Sequence, residues 1–418
     1  MENRRNTLYL MAIISLLVGL FTGKPFFLNL AFLLIGLLIL AYIWAWLSVR
    51  GIGVSRRTRS KRSQVGRLFK ESFTVTNKSF LPKLWIEVRD YSNLPNHRAS
   101  HVVPGMRSRS THTWEANTPC QVRGEFRLGP LSIMSGDPFG FYSMPRPINA
   151  TERIVIYPMI VPISNFHLPM GVLTGGEAQR RFTHQITTNA AGVREYVPGD
   201  SFNRIHWKST ARRGQIIVKE FEIDPLVDIW LFTDFSSKSL IEDSSIQRIG
   251  GIGAVIPDSS EIPASTEEYS VVITASLARY FMEKERSMGY VAYTPHREYF
   301  QADRGSRHLN RILQSLAVAR SLSTRSLREM LSLETHYLSR GTTLIIVSSS
   351  TDPEWVIETQ MLSSRGIRPM VIYVNPQSFD PSIETDEVKG LLQLGKIPTL
   401  YVNKGQDLSQ VLQQRPII

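Results

Sequence analysis

Residues 192–217 read GVREYVPGDSFNRIHWKSTARRGQII. In this window Arg194, Glu195, Asp200, Arg204, His206, Lys208, Arg212 and Arg213 crowd around Tyr196, Phe202 and Trp207, a charge density that globular cores avoid. Such groups must pair with one another or meet a partner. Pro198-Gly199-Asp200 is a turn tripeptide, because Pro presets φ, Gly accepts positive φ and Asp bonds its own backbone. The turn separates an extended arm at 193–197 from a helical or irregular arm carrying Ile205, Trp207 and Lys208. Glu195 or Asp200 can then meet Arg204, Arg212 or Arg213, the guanidinium fork taking a carboxylate bidentately. The expectation is an ion-paired joint with one edge left open for a partner.

Downstream of this window, apolar runs alternate with helical periodicity. Strands are expected at 227–233, 290–293, 343–348, 369–374 and 399–402, and helices at 270–286, 307–319, 326–338 and 355–364. That alternation predicts a doubly wound parallel sheet, whose ligands bind beyond the carboxyl ends of the strands. Two such ends carry oxygen-bearing side chains: Asp234-Phe235-Ser236, and the run 348–352 ending at Asp352.

Upstream the pattern changes twice. From 68 to 160 short alternating segments are broken by Pro, Gly and Asn, which predicts an antiparallel β-sandwich. Residues 161–191 form a polar connector holding Arg180, Arg181 and His184, long enough to be functional. At the N-terminus, 7–22 is uncharged and 26–49 has only Asn29 and Ser48 plainly polar. As a helix the second run spans about 36 Å, enough for a hydrocarbon core of roughly 30 Å. The first is shorter and fits a signal peptide as well, but no small-residue cleavage site precedes Lys24 and a second apolar span follows at once. A transmembrane hairpin over 1–50 is expected. Arg4 and Arg5 flank one end and the basic segment 51–67 the other, which predicts cytoplasmic termini and contact with anionic headgroups.

The chain has 418 residues, 42% of them hydrophobic, which suffices for several cores, so five divisions are expected: 1–50, 51–67, 68–160, 161–191 and 192–418. A single cysteine, Cys120, excludes an intrachain disulfide, and its alternating surroundings suit a small core residue better than a catalytic thiol. The net charge of +12 favours acidic partners. With no nucleic-acid reading motif, and much of the excess placed in the juxtamembrane run, nucleic acid is not expected among them.

The runs GVREYVPGD and RIHWKSTAR resemble the signature of the family called domain of unknown function 58, and RGEFRLGP and GDPFGFY resemble the β region that precedes it in that family. The family often has Asp where this chain has His206. The resemblance implies a bacterial, membrane-anchored protein associated with a MoxR-type AAA ATPase and without an established reaction. Its signature positions here are Arg194, Glu195, Tyr196, Pro198, Gly199, Asp200, Arg204, His206, Trp207, Lys208 and Arg212.

The layout from 227 onward resembles a von Willebrand factor A-like domain, in which an Asp-x-Ser-x-Ser loop and a later Asp loop hold Mg²⁺. Asp234 and Ser236 match and Asp352 falls in the later loop, but Lys238 stands where the motif has its second Ser. An ammonium about 4 Å from a divalent ion costs several kcal/mol. The expectation is therefore a degenerate loop with no resident cofactor, Mg²⁺ being the alternative. The function expected is a membrane-tethered scaffold without catalysis. The alternatives are a hydrolase-like enzyme with His206 as base, oriented by Glu195 or Asp200, and a basic nucleic-acid-binding protein.

Overall fold

The computed structural model describes residues 2–168, 190–197, 205–221, 228–243, 248–249, 254–255 and 262–418. Pro198, Gly199, Asp200 and Arg204 of the central window lie outside the described residues, as do Arg180, Arg181 and His184. Two compact units interleave along the sequence, where the sequence reading has domains in succession. The first takes 1–160, 243–275 and 311–319, and the second takes 161–242, 276–310 and 320–418.

In the first unit the apolar runs form the helices Glu2–Thr22 and Pro25–Val49, both long and apolar enough to cross a membrane. Pro25 starts the second helix, where its missing N–H costs nothing. Gly51, at φ +71°, turns the chain out of the helix end. A side chain there would also press on Ser79, whose Cβ would lie at 3.0 Å.

The basic segment contributes to a sheet. Ile52–Thr58 is a β-strand paired antiparallel with Leu68–Asn77, which pairs in turn with Thr111–Pro119. A second sheet joins His101–Met106, Lys83–Asp90, Leu131–Gly136 and Ser143–Ile148. In a third, Glu152–Tyr157 lies between Gly124–Leu128 and Arg62–Gln64. The last pairing is parallel, so the region is not purely antiparallel. Cys120 packs beside Phe69, Val122 and Phe126, and burial pushes its thiol up.

The alternation of this region hides charged groups as well as apolar ones. Arg56, Glu71, Asp90 and His97 have side chains no more than 3% exposed. Arg56 Nε lies 3.1 Å from Glu71, its Nη2 donates to Asp90, and His97 Nε2 is 2.8 Å from Asp90 while Nδ1 meets Thr118 at 2.7 Å. Burial pushes Glu71 up, beyond what Arg56 and His97 pull back. Burial acts on Asp90 too, but the His97 bond and the Arg56 charge outweigh it and hold that carboxyl below its usual range.

A second enclosed guanidinium, Arg123, is 2% exposed. It donates to Glu267 at 2.6 Å, to Glu268 at 3.0 Å, and to the carbonyls of Leu316 and Ala319 at 2.6 and 2.9 Å. Those carbonyls close the helix Ser306–Val318, where the backbone dipole favours a cation.

The second unit holds a six-stranded sheet in the order Arg297–Asp303, Met288–Tyr293, Ile229–Thr233, Thr343–Ser348, Arg368–Val374, Thr399–Val402. Five strands run parallel, and Arg297–Asp303 is an antiparallel edge that the sequence reading missed. Ile229–Thr233 and Thr343–Ser348 are buried at every position, as parallel strands covered on both faces must be. Gly289 is required by a close approach: a Cβ there would sit 2.6 Å from the Trp230 indole.

Replacing Arg56 with Met leaves Glu71 and Asp90 buried without their cation, a change that costs about 3–5 kcal/mol. A clear fall in the melting temperature of the full-length protein in detergent is expected. An unchanged transition would show that the cluster contributes nothing net.

Candidate functional site

The sheet's strand order reverses between Ile229–Thr233 and Thr343–Ser348, and it is beyond such a switch point that open α/β sheets place ligands. Asp234 follows the first strand and is 5% exposed. Its Oδ1 accepts the backbone N–H of Ser236 at 2.9 Å and its Oδ2 accepts the hydroxyl of Ser348 at 2.8 Å. Ser348 in turn accepts the N–H of Ser350 at 2.9 Å. Ser236 and Ser239 share a hydroxyl contact of 3.1 Å, and Ser349 donates to the Ser239 carbonyl at 2.7 Å. Ser236 also forms a parallel bridge to Ser323, whose carbonyl accepts the N–H of Ser237 at 2.9 Å. Asp234 thus ends in a web of serine hydroxyls and turn N–H groups contributed by three loops.

Burial pushes the Asp234 carboxyl up, against the bonds from Ser236 and Ser348 that favour its charged form. The turn 237–239 carries Lys238 out into solvent and brings Ser239 in. The Lys238 ammonium thus faces away from the loop interior, and the hydroxyl turned inward is that of the next residue.

Asp352 does not join this web. It is half-buried, and its Oδ1 accepts the N–H of Glu354, the first residue of the helix Glu354–Ser364, at 3.0 Å. Among the described residues no group of three His, Cys, Asp or Glu side chains could hold a metal ion. Mg²⁺ takes octahedral oxygen ligation, usually one or two carboxylates completed by waters; among the described residues Asp234 is the one carboxylate of this web, its oxygens accepting from Ser236 and Ser348, so the described side chains alone do not supply an octahedral set.

The described part of the central window forms a small sheet of its own. Ala190–Glu195 pairs antiparallel with Ile217–Phe221, bringing Glu195 opposite Ile217. Ile205 bridges to Val218, and Ile205, Ile217 and Val218 are buried. Between them lies the helix Trp207–Arg213, ended by Gly214 at φ +69°. His206 precedes it, half-buried, with Nδ1 2.7 Å from the hydroxyl of Ser209. Trp207 is 70% exposed, and Lys208, Arg212 and Arg213 are exposed beside it. Tyr196 is half-buried and Glu195 exposed. The described cations of the helix are thus exposed.

Sequence reasoning named Asp234 and Ser236, admitted Ser237 or Ser239 only as a substitute in a shifted loop, and singled out the run 348–352 without giving Ser348 or Ser349 a role of its own. The signal was the triple serine 348–350 directly after an apolar strand, a composition that suits turns able to bond a carboxylate.

A chain with two membrane-length apolar helices, a β-sheet region and an open α/β sheet with a serine-lined carboxylate at its switch point is the class these features define. Residues 192–249 match the family model described as "Protein of unknown function DUF58", and this stretch belongs to that family. The uncharacterized protein YeaD of Bacillus subtilis (strain 168) is 24% identical over 223 residues, covering 52% of this chain and 48% of that protein. The chain thus matches about half the length of that curated relative.

Solved structures give only slight likenesses, which carry no argument about fold or function. A CARDB domain from Pyrococcus furiosus matches at TM-score 0.19 and 17% identity, over 25% of this chain and 91% of that one. The C-terminal domain of wzt matches at 0.20 and 8%, over 26% and 75%.

Because the buried Asp234 carboxyl is raised, its stabilising contribution is present below the ordinary carboxylate range and is lost as pH rises through the folded-state value. Asp234→Asn is therefore expected to gain melting temperature relative to the parent as pH goes from about 4 towards neutrality. Millimolar MgCl₂ should leave the parent's transition unmoved. A Mg²⁺-dependent rise that Asp234→Asn abolishes would establish a metal site.

Proposed function

We propose that this chain is a membrane-tethered docking protein without catalysis of its own. In this reading the hairpin spans the bilayer with both termini and both folded units on the cytoplasmic side. The β region serves as a sandwich-type spacer and the α/β unit as a von Willebrand factor A-like interaction module. Its partner is a MoxR-type AAA ATPase, as the family resemblance implies, acting in assembly or maturation of other proteins.

The observation that carries the reading is the exposed aromatic and basic face of the helix Trp207–Arg213. Ordinary surfaces bear scattered single apolar residues, but a Trp 70% exposed and flanked by Lys208, Arg212 and Arg213 has the composition of a binding hot spot. Its positive charge suits an acidic partner surface and speeds encounter.

Trp207→Ala and Arg212→Glu are each expected to abolish recovery of the AAA ATPase from detergent-solubilised membranes while leaving the melting temperature unchanged. Recovery at the parental level from both variants would remove this face from the reading.

A further inference from the structure

The two apolar helices leave a groove between them that the docking function does not use. It has a volume of about 440 Å³, within the range of roughly 300–1,000 Å³ typical of small-molecule sites. Its walls are stripes at helical spacing, with Ile13 and Leu16 on one helix facing Ile35 and Ile39 on the other. Ile13 and Ile39 are each 55% exposed, so the groove opens sideways.

One end of the groove is different in kind. The loop 137–142 is folded by the buried carboxylate of Asp137, which accepts the N–H groups of Phe139 at 2.9 Å and Tyr142 at 2.6 Å. That fold sets Tyr142 against the hairpin, edge-on to Tyr42 at 5.5 Å and with its hydroxyl bonded to that of Tyr9. Arg5 lies over the Tyr142 ring at 5.8 Å, and its Nε is buried with no hydrogen-bond partner among the described residues. A buried guanidinium N–H without an acceptor costs free energy that an anion would recover. Tyr142, the last residue of the GDPFGFY run, thus closes this end of the groove.

We infer that the groove binds one acyl chain of an anionic glycerophospholipid, with the lipid phosphate accepting from Arg5 beside the paired tyrosine hydroxyls. Apolar walls match the chain, and a cation over an aromatic ring at the mouth matches the headgroup. A transmembrane helix of a partner or of a second copy would fill the walls but leave Arg5 unanswered. The inference rests on the reading that the hairpin spans the bilayer.

The test uses the full chain in nanodiscs of equimolar phosphatidylglycerol and phosphatidylcholine, released into a native mass spectrometer. The parent is expected to retain phosphatidylglycerol in preference to phosphatidylcholine. Arg5→Gln should weaken that preference about tenfold, as losing one charge-assisted bond does, and Ile39→Trp, at an exposed wall position, should remove both adducts. Equal retention of the two lipids by the parent, or retention unaffected by either variant, overturns the inference. So does a dimer in place of the lipid adduct, which would put a second copy in the groove. If the chain stays out of the discs altogether, the membrane reading itself fails, an outcome distinct from incorporation without bound lipid.

Discussion

Burying a carboxylate obliges a protein to surround it with donors, and much of the α/β unit's chemistry answers that obligation at Asp234. Taken out of water unpaired, the group would cost several kcal/mol. Here the donors are a backbone N–H and a serine hydroxyl at hydrogen-bonding distance, backed by further hydroxyls from loops ending two adjacent strands. Those loops are held in register by the parallel pairing of Ile229–Thr233 with Thr343–Ser348. At the switch point of the sheet, where open α/β sheets place ligands, the described serine side chains turn inward to this carboxylate and to one another.

The β-sheet unit solves a related problem with ion pairs. Arg56 and His97 stand between Glu71 and Asp90 inside a region otherwise cored by residues such as Phe73, Val75 and Ile133. A hydrophobic set of equal volume can be as stable as a buried ionic one, so stability alone does not explain the cluster. Its directional contacts bind three strands and the 91–99 loop into one arrangement, which apolar packing specifies less sharply. Arg123 repeats the device, spending its donors on two glutamates and two helix-end carbonyls.

The signature window is built differently. Its apolar residues Ile205, Ile217 and Val218 face inward, whereas Trp207 and the helix cations face water. Dense charge in a sequence has two physical outcomes, internal pairing or exposure, and composition does not separate them. In the short helix Trp207–Arg213, ended by Gly214, the basic side chains are exposed among the described residues.

The membrane-length helices, the alternating β region, the strands 343–348 and 399–402 and the general course of the α/β alternation were legible in the amino-acid order, because each rests on periodicity or on a run of one polarity. The strand Ile52–Thr58 was not: its arginines read as a basic flank, and only pairing with Leu68–Asn77 shows Arg56 turned inward to two carboxylates. The antiparallel edge Arg297–Asp303 escaped notice because an edge strand need not be apolar on both faces. Asp234 and Ser236 could be named in advance, since they abut a strongly apolar strand. That Lys238 would face out, Ser239 face in and Asp352 accept the first N–H of its own helix depended on how three loops meet. Local order determines which segments are strands and helices; contacts between residues more than a hundred positions apart, such as Asp234 with Ser348, decide what their ends do.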